Sequence, residues 1–505
     1  MSRAGRQRNE RLSAIIKACG WSYDAFASAI RAVAKESDDD LSSLHRSLVA
    51  YWISGVRPSG TTPQHMVEAV SRRLGRQVTL SDLGLGSGDD DSQPALADLD
   101  WNRDPIADLI TVGRADLERR DFARTALYSL AALAVPLDNW REIAARGRRA
   151  RHGGAAIGKG EIEAARHMID TFTHADERFG GGHARHAIVA YLTADVAGYL
   201  RGSFGSDDDR RAMFSAAAEL TYLVGWKAFD SAQHGVAQTY YLKALRLANE
   251  GDDGALGGFV LRAMAHQAVD LGHGQACLQL AESALEWSRK NATPGASALF
   301  TVVKARGYAA ERHREPTTTT LRAAEHLLSQ VDWNAEPVWI HRMGFGEPSL
   351  ANQTAQALRD LGDLEEAERQ FRRSTATRNG TAHRRVHALT LANLADLQYS
   401  RGQVFAACKN WSKSLDAMSG LQSARARQAV LNLRRRLGAL GQRQPAFARK
   451  LDRLSTAPTC HARSDRTRRW SASGTCCFSP LRPALTNRPV LFLTEDSTPN
   501  AVRHS

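Results

Sequence analysis

A small residue recurs at near-constant spacing through the second half of this chain. Ala237, Cys277, Thr317, Ala367 and Ala407 are separated by 40, 40, 50 and 40 residues. The segments around them share one design. In "LGDLEEAERQFRRS" (361–374), Gly362 ends one helix, Ala367 lies inside the next, Phe371 follows one turn on, and Ser374 comes three later. "RGQVFAACKNWSKS" (401–414) repeats this with Gly402, Ala407, Trp411 and Ser414, and "LGHGQACLQLAESA" (271–284) with Gly272, Cys277, Ala281 and Ala284. Weaker copies place Ala237, Tyr241 and Ala244 in one segment, and Thr317, Leu321 and Ala324 in another. Small residues let antiparallel helices approach closely, and the large residue fills the gap to the next pair. One pair cannot bury its apolar face alone, so the pairs must stack as a solenoid. Residues 101–440 are Ala- and Leu-rich with little β-branched alternation, so the expected class is all-α.

The N-terminal 9–85 read as a separate helical unit. "RNERLSAIIKACGWS" places Leu12, Ile15 and Ile16 on one helix face and closes at Gly20. Ser22 is the expected N-cap of "YDAFASAIRAVAKE". After the polar break "SDDDLSS", Ser42 or Ser43 is expected to cap a short helix ending at Gly55. "TPQHMVEAVSRRLG" supplies a last helix, with Pro63 in its first turn and Gly75 as its stop. In the short helix, "SLHRSLVAYWISG", Leu48, Val49 and Trp52 form an apolar back face while His45, Arg46, Ser47 and Ala50 point outward. Such a helix suits a DNA major groove, where arginine pairs with a guanine edge and serine reaches a base or phosphate. Ser22 and Arg57 are expected near backbone phosphates.

The aliphatic residue, Trp, Gly and Pro of "LVAYWISGVRP" (48–58) resemble the end of a Cro/C1-type helix-turn-helix. With the repeats, the chain resembles a family of actinobacterial regulators that join such a domain to tetratricopeptide-type repeats. The resemblance covers roughly 10–440 and is carried by "WISGVRP", "DERFGGGHARHAIVAYL", "AELTYLVGWKAFDSAQHGVAQTYYLKALRLA" and "EPVWIHRM". It implies a transcription regulator of the kind that represses sporulation and antibiotic production. The expected layout is a helix-turn-helix domain (9–85), a Gly/Ser/Asp-rich linker (86–100), a helical connecting region (101–205), repeats (206–440) and a disordered basic tail (441–505).

The charge agrees with a polyanionic partner but does not demand one. Net charge is +13, yet about 11 basic against 4 acidic residues sit in the tail, and about 12 against 8 in the first 86 residues. Six scattered cysteines make no disulfide framework, no apolar stretch is long enough to span a bilayer, and no signal peptide is evident; the expectation is a cytoplasmic protein.

Three other constellations matter. In "FTHADERFGGGHARHAIVAYL" (172–192), His183 and His186 would share a helix face, but no cysteine joins them, so no metal is expected. The Gly180–Gly182 turn is expected instead to aim backbone N–H groups, His183 and Arg185 at an anionic group of a ligand or peptide. On the repeats, Trp226, Asp230, Tyr240 and Lys243 are expected to line a concave groove for a peptide or protein. "GAAIGKG" (154–160) lacks the Ser or Thr of a phosphate-binding loop and reads as a flexible loop; no nucleophile–base pair is apparent, so neither enzyme activity nor a cofactor is expected. The leading expectation is a homodimeric regulator of double-stranded DNA that senses a peptide, protein or small signal. Its rival, prompted by acidic "SDDD" beside the short helix, is a scaffold or anti-activator that acts through the groove without touching DNA.

Overall fold

The computed structural model describes residues 8–36, 39–74, 76, 78–86, 103–118, 128–133, 156–443 and 448–452. All but the edges of the expected linker and tail fall outside these ranges. The described residues are mostly helical, with an N-terminal helical region and a body of repeating helix pairs.

The N-terminal region holds α1 (Glu10–Ala18), α2 (Tyr23–Glu36), α3 (Arg46–Ile53) and α4 (Thr62–Leu74). Its core holds Leu12, Ile16, Phe26, Ile30, Val49 and Trp52 from the expected apolar faces, with Ile15 and Leu48 only partly buried beside them, and adds Met66 and Val70 of α4. Ser22 caps α2, its hydroxyl accepting from the Ala25 N–H at 3.1 Å. Gly20 turns the chain with φ +68°, where a Cβ would be strained. One expectation fails here. Neither Ser42 nor Ser43 caps α3; the cap position is His45, without a side-chain bond. Leu44 is buried and its carbonyl accepts from Arg31, which carries the chain past the serines before it can coil. The Ser42 N–H is taken instead by Asp40 at 3.1 Å, in a local turn.

The body opens with α5 (Pro105–Glu118), α6 (Lys159–Phe179) and α7 (Arg185–Tyr191); a π-helical turn (Leu192–Val196) leads into α8 (Ala197–Leu200). Here the GAAIGKG expectation is corrected. Ala156–Ile157 pairs in parallel with Ser203–Phe204, and Lys159 and Gly160 begin α6, the Gly158 N–H being held by the Glu161 carboxylate at 2.9 Å. The described parts of 101–205, expected as a connector, share one core with the repeats: a single cluster of buried side chains includes Ile106 at one end and Leu397 at the other.

Five helix hairpins follow. They are α9 (Asp207–Asp230) with α10 (His234–Glu250), α11 (Gly254–Asp270) with α12 (Gly274–Ser288), and α13 (Pro294–Ala310) with α14 (Arg314–Ser329). After the short α15 (Val338–Arg342) come α16 (Glu347–Asp360) with α17 (Leu364–Thr377) and α18 (Arg384–Ser400) with α19 (Val404–Met418); α20 (Ala424–Arg443) packs on α18. The recurring small residues Ala237, Cys277, Thr317, Ala367 and Ala407 are fully buried, as the close-approach argument requires. Each hairpin turn also has one left-handed residue at the matching place: Ala232, Gly272, Arg312, Gly362 and Gly402. Their steps are again 40, 40, 50 and 40. The long step has a structural cause: α15 and its flanking loops are inserted between α14 and α16.

The Gly180–Gly182 turn joins the body's beginning to its end. Gly182 N–H donates to the Gln422 carbonyl at 2.9 Å, and Gln422 N–H to the Phe179 carbonyl at 2.7 Å. A Cβ on Gly180 would lie 2.7 Å from the Gln422 oxygen, so a larger residue there would push the two ends apart, and one on Gly181 would lie 2.7 Å from Asp230 in the first hairpin.

Candidate functional site

Two surfaces stand out. The first is the outer face of α3. Val49, Trp52 and Ile53 are buried in the core of this region, with α3 packed on α2 and α1, which leaves His45, Arg46, Ser47 and Ala50 exposed, with Tyr51 beside them at 47% exposure. The remaining two expected DNA contacts differ. Ser22 is exposed but occupied as the α2 cap. Arg57 donates to the Leu85 carbonyl, which makes it a tether for the end of the domain. Two of the acidic residues before α3 are also engaged: Asp39 lies 3.1 Å from buried His65, and Asp40 accepts from the Ser42 N–H.

The second surface is in the body, and there the groove and turn expectations need correction. Arg185 does not face a ligand. It is buried in an ion pair with Asp116 at 2.6 Å, and the Tyr240 hydroxyl donates to the same carboxylate at 2.9 Å. Lys243 is buried against Asp108 of α5 at 3.0 Å. The reason is common to all three: α5 lies over α10 and α7 and supplies carboxylates that neutralise their inner faces. Asp230 is likewise structural, accepting from Gly181 N–H and from the Ser423 hydroxyl, both at 2.9 Å. His183 packs on Phe179 with ring centres 4.9 Å apart, and its carbonyl accepts from Lys227. Of the six expected groove residues only Trp226 lines the open space inside the body.

That space is a cavity of about 1150 Å³, counting its open mouth. Its floor is aromatic: Tyr222 meets Phe259 at 4.5 Å, and Phe259 stacks on Trp339 at 4.5 Å and 19°. Trp339 comes from α15, so the insertion that breaks the repeat period builds one wall. Around the aromatics stand Arg262, Arg342, Arg378 and Arg425, together with Asp176, Glu177 and Glu219. Most of these charges are matched. Arg342 grips Glu219 at 2.7 Å and Asp170 at 2.5 Å. Asp176, fully buried, accepts from Lys227 at 3.1 Å and Arg385 at 2.7 Å; burial opposes its charge, but these cations outweigh it and lower its pKa. Arg425 reaches Asp270 at 3.2 Å.

Arg262 and Arg378 are different. Neither has an ion-pair partner among the described residues. Arg262 Nε and Nη1, and Arg378 Nε, are buried without a hydrogen-bond acceptor. Burial pushes the Arg378 pKa down to about 10 and lowers that of Arg262 as well. Sequence reasoning passed over both. Arg262 did leave a signal: in "GALGGFVLRAMAHQAVD" it is the one charged residue before the terminal aspartate.

Among the described residues no group of His, Cys, Asp and Glu is arranged to hold a metal, and no helix is long and apolar enough to cross a membrane. No curated protein matches the chain. Residues 12–86, the α1–α4 region with its exposed α3 face, match the family model described as the SP15 N-terminal domain.

Proposed function

We propose that the chain is a DNA-binding transcription regulator in which a tetratricopeptide-like body senses a ligand. The observation that carries it is α3: a short helix pinned by Val49, Trp52 and Ile53, presenting His45, Arg46, Ser47 and Ala50 to solvent along one face. This is the arrangement of a reading helix, with α2 as the helix behind it. A single small module binds weakly, so a homodimer on paired half-sites is part of the proposal. Repression of development or secondary metabolism is proposed from the family resemblance, and a cytoplasmic location from the scattered cysteines and the lack of a bilayer-length apolar stretch or an evident signal peptide in the sequence.

The test is fluorescence anisotropy of the full chain on duplexes from its own upstream region across a salt series. Arg46→Ala should weaken binding to the preferred duplex by roughly ten- to a hundredfold, the worth of one direct base contact. Equal binding by wild type, Arg46→Ala and Ser47→Ala at every salt concentration would sink direct readout by α3. The scaffold reading draws on Arg57 and Ser22, which are engaged inside the domain rather than free for phosphates. A salt-independent absence of DNA affinity would favour it.

A further inference from the structure

We infer that the body cavity holds an organic anion, a carboxylate or phosphate joined to a flat apolar group, with Arg262 as the anchor of its charge. This deepens the sensing half of the proposed function and does not depend on DNA contact. Arg262 is 4% exposed and lines the cavity from the middle of α11. A guanidinium removed from water and left unpaired is strongly unfavourable, so a buried one is ordinarily matched by a carboxylate. Here the neighbouring carboxylates are committed elsewhere. Asp270 is bound by Arg306 at 3.0 Å and Arg425 at 3.2 Å, Glu219 by Arg342, and Asp176 by Lys227 and Arg385. Glu177 lies 3.4 Å from Arg385 and 3.6 Å from His383. Asp270 favours the Arg262 charge at a distance, but burial, helped by the nearby Arg306 cation, outweighs it and lowers the Arg262 pKa.

Arg378 repeats the situation in the same cavity. It is 7% exposed, one nitrogen reaches only the Ser349 hydroxyl at 3.3 Å, and its Nε is unpartnered. Two cavity cations without an ion-pair partner among the described residues, Arg378 having only the pull of Glu177 at a distance, specify negative charge in the ligand. The Tyr222–Phe259–Trp339 floor, with its near-parallel stacked pair, specifies a flat apolar part beside it. Such a combination of apolar walls and a few convergent polar groups is the usual make-up of a small-molecule site.

The experiment uses the full chain without DNA and follows thermal unfolding with 2-naphthoate, 2-naphthyl phosphate, uncharged 2-naphthol, and chloride at matched ionic strength. Either aromatic anion should raise the unfolding temperature saturably, with 2-naphthol and chloride giving no such rise. The stronger of the two anions distinguishes a carboxylate ligand from a phosphate. Arg262→Met should abolish the rise and, having removed an unpaired buried charge, unfold at a higher temperature than wild type. Arg378→Gln should weaken the response at least fivefold, and Arg46→Ala should leave it intact. The inference is overturned if neither anion exceeds chloride, or if Arg262→Met keeps the wild-type response. An Arg262→Met protein that unfolds well below wild type would mark Arg262 as a structural cation and overturn it equally. Because no duplex is present, failure here leaves the α3 reading untouched, and loss of DNA binding would leave this one standing.

Discussion

At the scale of single residues, buried charge decides most of what is observed. Asp176, Lys227, Arg385 and Asp230 form one buried network under the Gly180–Gly182 turn, with Arg385 2.7 Å from Asp176 and 3.6 Å from Asp230. Asp176→Asn would leave Lys227 and Arg385 short of a counter-charge, so it should cost about 3–5 kcal/mol in urea unfolding; a loss below about 1 kcal/mol would mean the network relaxes. Gly225 sits where a Cβ would lie 2.7 Å from the Tyr241 ring, so Gly225→Ala should cost about 1–3 kcal/mol by the same assay. His234 provides a pH dependence. Burial lowers its pKa from 6.5 to about 4, against a weaker opposing pull from Asp270. Between those values the unfolded chain binds a proton that the folded chain refuses, so stability falls as pH drops from 6.5 to about 4. The full contribution is on the order of 3 kcal/mol. His234→Gln should flatten the stability profile across that window, and an unchanged profile would assign the titration to other groups.

At the scale of elements, the hairpin turns are the most instructive feature. A Cβ added at Gly272, Gly362 or Gly402 would point into open space, so φ alone calls for glycine there. Ala232 and Arg312 hold the same place at φ +59° and +62° with side chains that resist it. Arg312→Gly should therefore stabilise the chain by about 1 kcal/mol, the left-handed penalty less the extra freedom of the unfolded glycine; differential scanning calorimetry on the single and double variants with Ala232→Gly would read it. The glycines were visible as helix stops in the sequence because turn chemistry is local. Ala232 and Arg312 were not, because neither residue type marks a turn. Similarly, the outward face of α3 was legible from Val49 and Trp52, whereas its true start at Arg46 depended on Arg31 holding the Leu44 carbonyl from another helix.

For the whole molecule, the issue is how the N-terminal region meets the body. Residues 128–133 lie between them. Leu130 N–H donates to Glu68 of α4 at 3.0 Å, and Gln238 of α10 bonds Ser129. Glu36 is held by Arg72 at 2.8 Å and lies 3.5 Å from His273 of the body, whose ring stacks on Tyr128 at 5.8 Å. Burial disfavours the Glu36 charge, but bonds from His273 and Arg72 prevail and bring its pKa down to about 2. Its contribution is therefore complete above pH 4.5 and is lost as pH falls toward 2. Glu36→Gln with His273→Ala should speed amide hydrogen exchange in α4 and 128–133 while the unfolding temperature of the repeats stays put. Unaltered exchange would show that the docking rests on apolar contacts alone.

The helices, the 40-residue repeat and the buried small residues were determined by the sequence by itself, because periodicity, capping and close approach act over one or two turns. Only the tertiary structure decided which polar side chains are spent and which are free. Lys243 finds Asp108 from 135 residues away, and Arg385 finds Asp176 across 209. Arg262 stands out locally as a lone charge on an apolar helix, but that no carboxylate pairs with it among the described residues is decided elsewhere in the chain. Charge pairing is a property of whichever distant helix packs opposite, so the cavity and its unpaired arginines exist only once the chain has closed on itself.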